Sequence, residues 1–133
     1  FDLAMAECFR VLRPGGRLAF TIMHPCFLTR GSRWIRDEQG LKVSWVVGHY
    51  FDPMCWVERF RFTDAPAEAY EFAVPRFDRT LSEYVNTLIG AGFALNRIEE
   101  PRPSEEYCQA HPSQRGWRDH AALFLHFLAE KPA

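Results

Sequence analysis

Arg10-Val-Leu-Arg-Pro-Gly-Gly-Arg-Leu-Ala-Phe-Thr-Ile-Met-His-Pro-Cys-Phe27 is the stretch whose reading decides the fold. Pro14 cannot continue a helix, because its ring clashes with the preceding turn and it lacks an amide proton. Pro14-Gly15 suits a type II turn, with proline presetting φ and glycine taking the positive φ that follows. Leu18–Met23 is then apolar throughout except at Thr21. That pattern predicts a buried strand covered on both faces, as in a parallel sheet. Open α/β sheets place their ligands at the carboxyl edge of such strands. Here that edge carries His24, Pro25 and Cys26.

Working outward, Met5, Cys8, Phe9 and Leu12 recur at helical spacing and predict one apolar helix face, with Glu7 and Arg10 on the other side. Asp2 is a cap or a first-turn acid. A doubly covered strand needs sheet neighbours that nothing upstream supplies, so the chain reads as the carboxy-terminal part of a larger domain. Such a piece leaves apolar surface open to self-association through an exposed sheet edge.

The segment 27–79 differs in character. Glycines and prolines punctuate short aromatic-rich runs, of which Val43–Phe51, Trp56–Phe62 and Tyr70–Val74 have strand composition. Tyr70, Phe72 and Val74 alternate with Glu71 and Ala73, which predicts one wet and one dry face. A stretch this long between core elements is an insertion, and insertions commonly carry specificity or cover a site.

Regular structure returns at Thr80-Leu-Ser-Glu83, a capping-box pattern. It predicts a helix burying Leu81, Val85, Leu88 and Ile89 and stopped by Gly90-Ala-Gly92. Phe93–Glu99 reads as a strand, Ser104–Ala110 as a short helix, and Ala121–Ala129 as a buried strand. No long helix separates the last two strands, which is consistent with an antiparallel closing pair.

Composition removes several classes of function. The chain has 133 residues, 47% hydrophobic and 25% charged, with net charge −1. It therefore has no electrostatic footprint for nucleic acid or an anionic membrane. No apolar run is long enough to span a bilayer. Cys8, Cys26, Cys55 and Cys108 form no C-x-x-C pair, which favours reduced thiols and a cytoplasmic setting. Cys108-x-x-His111 is a half-motif without a partner, so no metal site is expected.

Candidate site residues follow from position. His24, at the strand's carboxyl end, is a candidate general base or substrate contact. Phe27, Tyr50 and Trp56 are candidate substrate-binding aromatics, within a wider set of Phe51, Tyr70 and Phe72 that forms either a lid or a small satellite core. Arg76 and Arg79 flank Phe77-Asp78, where they suit a substrate carboxylate or an ion pair with Asp78. Glu105-Glu106-Tyr107 and Arg115–His120 read as solvated surface.

Glu7-x-x-Arg10-Val-Leu-Arg-Pro-Gly-Gly-Arg-Leu18 with its strand ending in His24-Pro-Cys-Phe27, Arg79-Thr-Leu-Ser-Glu-Tyr84 and Leu88-x-x-Ala91-Gly-Phe93 together resemble the class I S-adenosylmethionine-dependent methyltransferases, in particular the small-molecule group. The resemblance implies an α/β, Rossmann-like methyltransferase sheet. The chain would supply its carboxy-terminal half, with a β-rich insertion and a closing antiparallel strand pair. It divides residues 1–133 into a core (1–25 and 80–133) and a substrate-side insertion (26–79). It implies transfer of a methyl group from S-adenosylmethionine to a small-molecule acceptor. The family's glycine-rich loop and the acidic residue ending its second strand are missing, and Gly15-Gly16 precedes a strand instead of opening a helix. The main cofactor motif is therefore expected outside this chain, and the chain alone is expected to be inactive. The rival readings are a non-catalytic α+β ligand-binding module and a degenerate methyltransferase-like dimerisation domain.

Overall fold

Gly15 adopts φ +73°, as the Pro14-Gly15 turn requires, and the turn is tied to the far end of the chain. The Gly15 amide donates to the Lys131 carbonyl at 2.8 Å, and the Lys131 amide donates back to Gly16 at 2.9 Å. The Lys131 ammonium donates to the carbonyls of Phe9 and Leu12, two acceptors left open where the first helix ends. A cation there also opposes the negative end of the helix dipole.

The computed structural model of the chain describes residues 1–52, 54–61 and 71–133. In chain order the elements are α1 (Asp2–Val11), β1 (Arg17–Met23), β2 (Arg33–Arg36), β3 (Lys42–Val46), β4 (Cys55–Phe60), β5 (Phe72–Phe77), α2 (Leu81–Gly90), β6 (Ala94–Glu99), α3 (Glu105–Ala110), α4 (Arg115–Asp119) and β7 (Phe124–Glu130). A single 3-10 turn, Pro112–Gln114, precedes α4.

The main sheet has the order β1-β7-β6. β7 pairs antiparallel with β1 from Arg17↔Glu130 to Met23↔Phe124, and antiparallel with β6 across an irregularity between Leu95 and Arg97. The closing antiparallel pair is thus present. The parallel neighbours expected for β1 are not among the described residues. β1 pairs only with antiparallel β7 among the described residues, and its burial alternates, with Leu18, Phe20 and Ile22 half-buried and Arg17, Ala19 and Thr21 exposed. The helices α1 and α2 supply core side chains to one face of the sheet, so one face is dry and the other is only thinly covered.

That dry face is the core: Met5 from α1, Leu88 from α2, Phe93, and Leu125, Phe127 and Ala129 from β7. Phe20 stacks on Phe127 with ring centroids 4.9 Å apart, and Phe9 meets Phe93 edge-on at 5.1 Å. The predicted α1 face is in place, with Cys8, Phe9 and Leu12 packed against this cluster. The capping box of Thr80 and Glu83 is formed on both sides. Ile89, expected inside, is 56% exposed. Leu81, Tyr84, Val85 and Leu88 already fill the stripe that α2 presents to the core, and Ile89 falls beside that stripe.

The segment between core elements forms two antiparallel pairs, β2–β3 and β4–β5. β2 has no counterpart in the sequence reading. The expected dry face of the Tyr70–Val74 strand is also corrected: Phe72, Ala73 and Val74 are all exposed, because β4–β5 is a separate two-stranded unit. Pro75 lies within β5 opposite Val57, which an edge strand tolerates. Phe62 and Tyr70 lie outside the described residues.

Leu88→Ala should lower the unfolding free energy by about 2–5 kcal/mol, since Leu88 is fully buried. Leu3→Ala, at a position 85% exposed, should stay within about 0.5 kcal/mol. Gly92→Ala should also destabilise, because Gly92 has φ +99° and an added Cβ would lie 2.8 Å from the Phe9 ring. Denaturant melts of the three variants of the full chain test this order.

Candidate functional site

His24 continues the β1–β7 ladder, its amide donating to the Leu123 carbonyl at 3.0 Å, and its own carbonyl accepts from the amides of Phe27 and Leu28. The side chain turns inward and is 2% exposed. Nδ1 accepts the Cys26 amide at 3.2 Å, so the ring proton belongs on Nε2, which donates to Glu100 Oε1 at 2.7 Å. Phe27 packs on the ring with centroids 4.7 Å apart. Both nitrogens are therefore engaged, and His24 joins the turn after β1 to the residue following β6.

Beside that turn is a cleft of about 280 Å³ whose floor includes Ile22, Met23, Pro25 and Leu28. Its rim includes Thr29, Tyr50, Arg76, Asp78 and Arg79. Tyr50 is held in place by α2, because its hydroxyl oxygen accepts the Leu81 amide at 2.9 Å, and Cys26 Sγ lies 3.8 Å away. Burial foremost, with Cys26 close by, raises the Tyr50 phenol above its ordinary value. Thr29 donates to the Gly48 carbonyl, joining the turn after β1 to the segment that carries Tyr50.

The arginines expected at the site have different partners. Arg76 Nη1 donates to Glu58 Oε2 at 3.0 Å. Asp78 accepts the Trp56 indole N–H at 3.2 Å, so the alternative Arg–Asp78 pair is absent among the described residues. Arg79 lies over the rings of Phe1 and Phe77, 5.8 and 5.6 Å from their centroids. A second cleft of about 320 Å³ adjoins on the Tyr50–Arg79 side and includes Phe51, Ser82 and Glu83.

Of the residues singled out from sequence, Tyr50, Arg76 and Arg79 line the main cleft. His24 lies buried beside it. Phe27 lines a smaller cleft of about 140 Å³ with Glu100 and Arg102, and Trp56 reaches the main cleft only through Asp78. Thr29 and Asp78 were not anticipated as lining residues. Trp117 was also missed. Expected on solvated surface, it packs against Trp34 and Trp45 with centroids 4.9 and 5.0 Å away. A lone tryptophan in a charged run was the available signal. Among the described residues no three His, Cys, Asp or Glu side chains cluster as metal ligands, and no helix is long and apolar enough to cross a membrane.

Compared with solved structures, the whole chain matches a proposed S-adenosylmethionine-dependent methyltransferase from Listeria monocytogenes with TM-score 0.74 and 27% identity. It matches an S-adenosylmethionine-dependent methyltransferase from Mesorhizobium loti over 97% of its length, with TM-score 0.72 and 25% identity. The chain resembles the S-adenosylmethionine-dependent methyltransferases throughout its length. It spans about half of each of these structures, 55% and 54% respectively. No protein-family model and no curated protein matches it. The cleft lined by Ile22, Met23 and Pro25 lies at the carboxyl end of β1.

The raised phenol gives a pH test. Folding holds Tyr50 neutral beyond the pH at which a free tyrosine ionises, about 10. Its contribution to stability is therefore present below that pH and is lost as the pH rises through the higher folded value. The full chain should lose stability more steeply above pH of about 10 than Tyr50→Phe, as measured by denaturation at stepped pH. Equal slopes would show that the phenol ionises as freely folded as unfolded.

Proposed function

We propose that this chain is the substrate-side portion of an S-adenosylmethionine-dependent methyltransferase, and that the main cleft holds a small-molecule methyl acceptor. The observation that carries the reading is the likeness of the whole chain to two such structures. The cleft supports it by having an apolar floor at a strand's carboxyl end and a polar rim. Tyr50 and Arg76 belong to the segment 26–79, which supports a substrate-side role for that insertion.

The described residues do not fit the cofactor itself. The glycines with left-handed backbone are Gly15, Gly31, Gly40 and Gly92, and none of them opens a helix after a strand, as a pyrophosphate- or adenosyl-cradling loop requires. The reading accordingly puts the cofactor site outside this chain, on a Rossmann-like sheet of which β1, β7 and β6 are one flank. The second edge of β1 has no partner among the described residues, and is open to a further strand or to a second copy. The free state of Cys8, Cys26, Cys55 and Cys108 supports a reducing, cytoplasmic setting.

This chain's own residues would bind and orient the acceptor, and positioning can supply a large part of the acceleration of an in-line transfer. His24 suits a positioning role. To act as a base it would have to give up the Cys26 amide at Nδ1, which fixes the turn flooring the cleft. Trp substituted for Leu28 would fill the cleft. In the intact enzyme, Leu28→Trp should raise KM for the acceptor by about tenfold or more while cofactor affinity stays within about twofold. Loss of cofactor affinity in the folded variant would place the cleft on the cofactor side. His24→Asn should keep the acidic limb of the pH–rate profile, whereas disappearance of that limb would make His24 the general base.

A further inference from the structure

A guanidinium in a partly desolvated cleft ordinarily meets a counter-charge, because leaving it unanswered is costly. Arg76 is answered by Glu58. Arg79 is half-buried, lines both adjoining clefts, and pairs with no carboxylate among the described residues. Two acids that line the same clefts have other partners. Asp78 accepts the Trp56 indole, and Glu83 Oε2 accepts the amide and hydroxyl of Thr80 at 2.6 and 2.9 Å. Arg79 contacts the rings of Phe1 and Phe77. Such ring contacts use the guanidinium's charge without engaging its N–H groups in a hydrogen bond to a carboxylate, and those groups are what grips a planar anion.

Tyr50 adds a complementary donor. Its oxygen already accepts the Leu81 amide and lies near the Cys26 thiol, so the hydroxyl proton is left to donate. The apolar floor of Ile22, Met23 and Leu28 suits a hydrocarbon or aromatic body, and about 280 Å³ admits only a small one.

Resting on the reading of this cleft as the acceptor site, we infer that the acceptor is a small monocarboxylate with an apolar body, its carboxylate meeting Arg79 and Tyr50. Asp78 and Glu83 line the same region, and their repulsion weighs about twice as heavily on a dianion such as a phosphate monoester as on a monocarboxylate.

The test titrates the intact protein with benzoate, phenylacetate and their primary amides, following the backbone resonances of Ile22, Thr29 and Tyr50. Each acid should bind about tenfold or more tightly than its amide, as a charged hydrogen-bonded pair predicts. The preference should fall to within about twofold in Arg79→Gln, return in part in Arg79→Lys, and weaken with added salt for the acids alone. Equal binding of acid and amide, a preference retained in folded Arg79→Gln, or no response at these residues to any of the four compounds would overturn the inference. Methyl transfer that survives Leu28→Trp would overturn the acceptor-site reading beneath it. An acid-to-amide ratio near one, in a cleft that Leu28→Trp does close, would remove only the carboxylate.

Discussion

The structure depends on β7 as the middle strand of its main sheet. β1 and β6 each pair with β7 and not with one another, and Leu125, Phe127 and Ala129 of β7 are the centre of the core. The clasp at Lys131 extends this dependence to α1. Its backbone closes the Pro14-Gly15 turn, its ammonium takes two carbonyls at the helix end, and it lies 4.6 Å from the Phe9 ring. One residue thus satisfies acceptors that water would otherwise have to reach, and it sets the angle at which α1 meets the sheet.

The candidate site follows from that frame with few additional contacts. β1 is held in register along its whole length by β7, so the position of its carboxyl end is fixed. The His24 imidazole then fixes the turn beyond it, Thr29 ties that turn to Gly48 within the insertion, and Tyr50 attaches the insertion to the frame through the first amide of α2. The capping box at Thr80 has two roles: it starts α2, and it occupies Glu83, the acid that would otherwise be free to face Arg79.

How much of this was legible from residues varied with how local the cause is. The Pro14-Gly15 stop, the Thr80–Glu83 cap and the Gly92 terminus are dictated by backbone sterics and short-range hydrogen bonds, and all three are as the sequence predicted. That β7 is the antiparallel neighbour of β1 was not legible, because an apolar run does not name its partner strand. At the site, the position of Tyr50 and Arg76 on a cleft was anticipated. The engagement of both His24 nitrogens was not, since Glu100 is 76 residues away. Trp117 was missed for the same reason: its ring is half-buried against Trp34 of β2 and Trp45 of β3, and β2 was not foreseen.

The position of β7 in the chain also bears on synthesis. Arg17 and Glu130, which face each other across the β1–β7 ladder, are 113 residues apart. At ordinary translation rates of about 5–20 residues per second, β1 leaves the ribosome roughly 6–23 s before β7, its partner in this sheet, is complete. Throughout that interval β1 lacks β7, its partner among the described residues, while β2–β3 and β4–β5, closed over shorter separations, are free to form first. The hairpin-like units of the insertion would then assemble ahead of the β1–β7 pairing, and the edge of β1 that β7 covers would stay open until the last residues emerge.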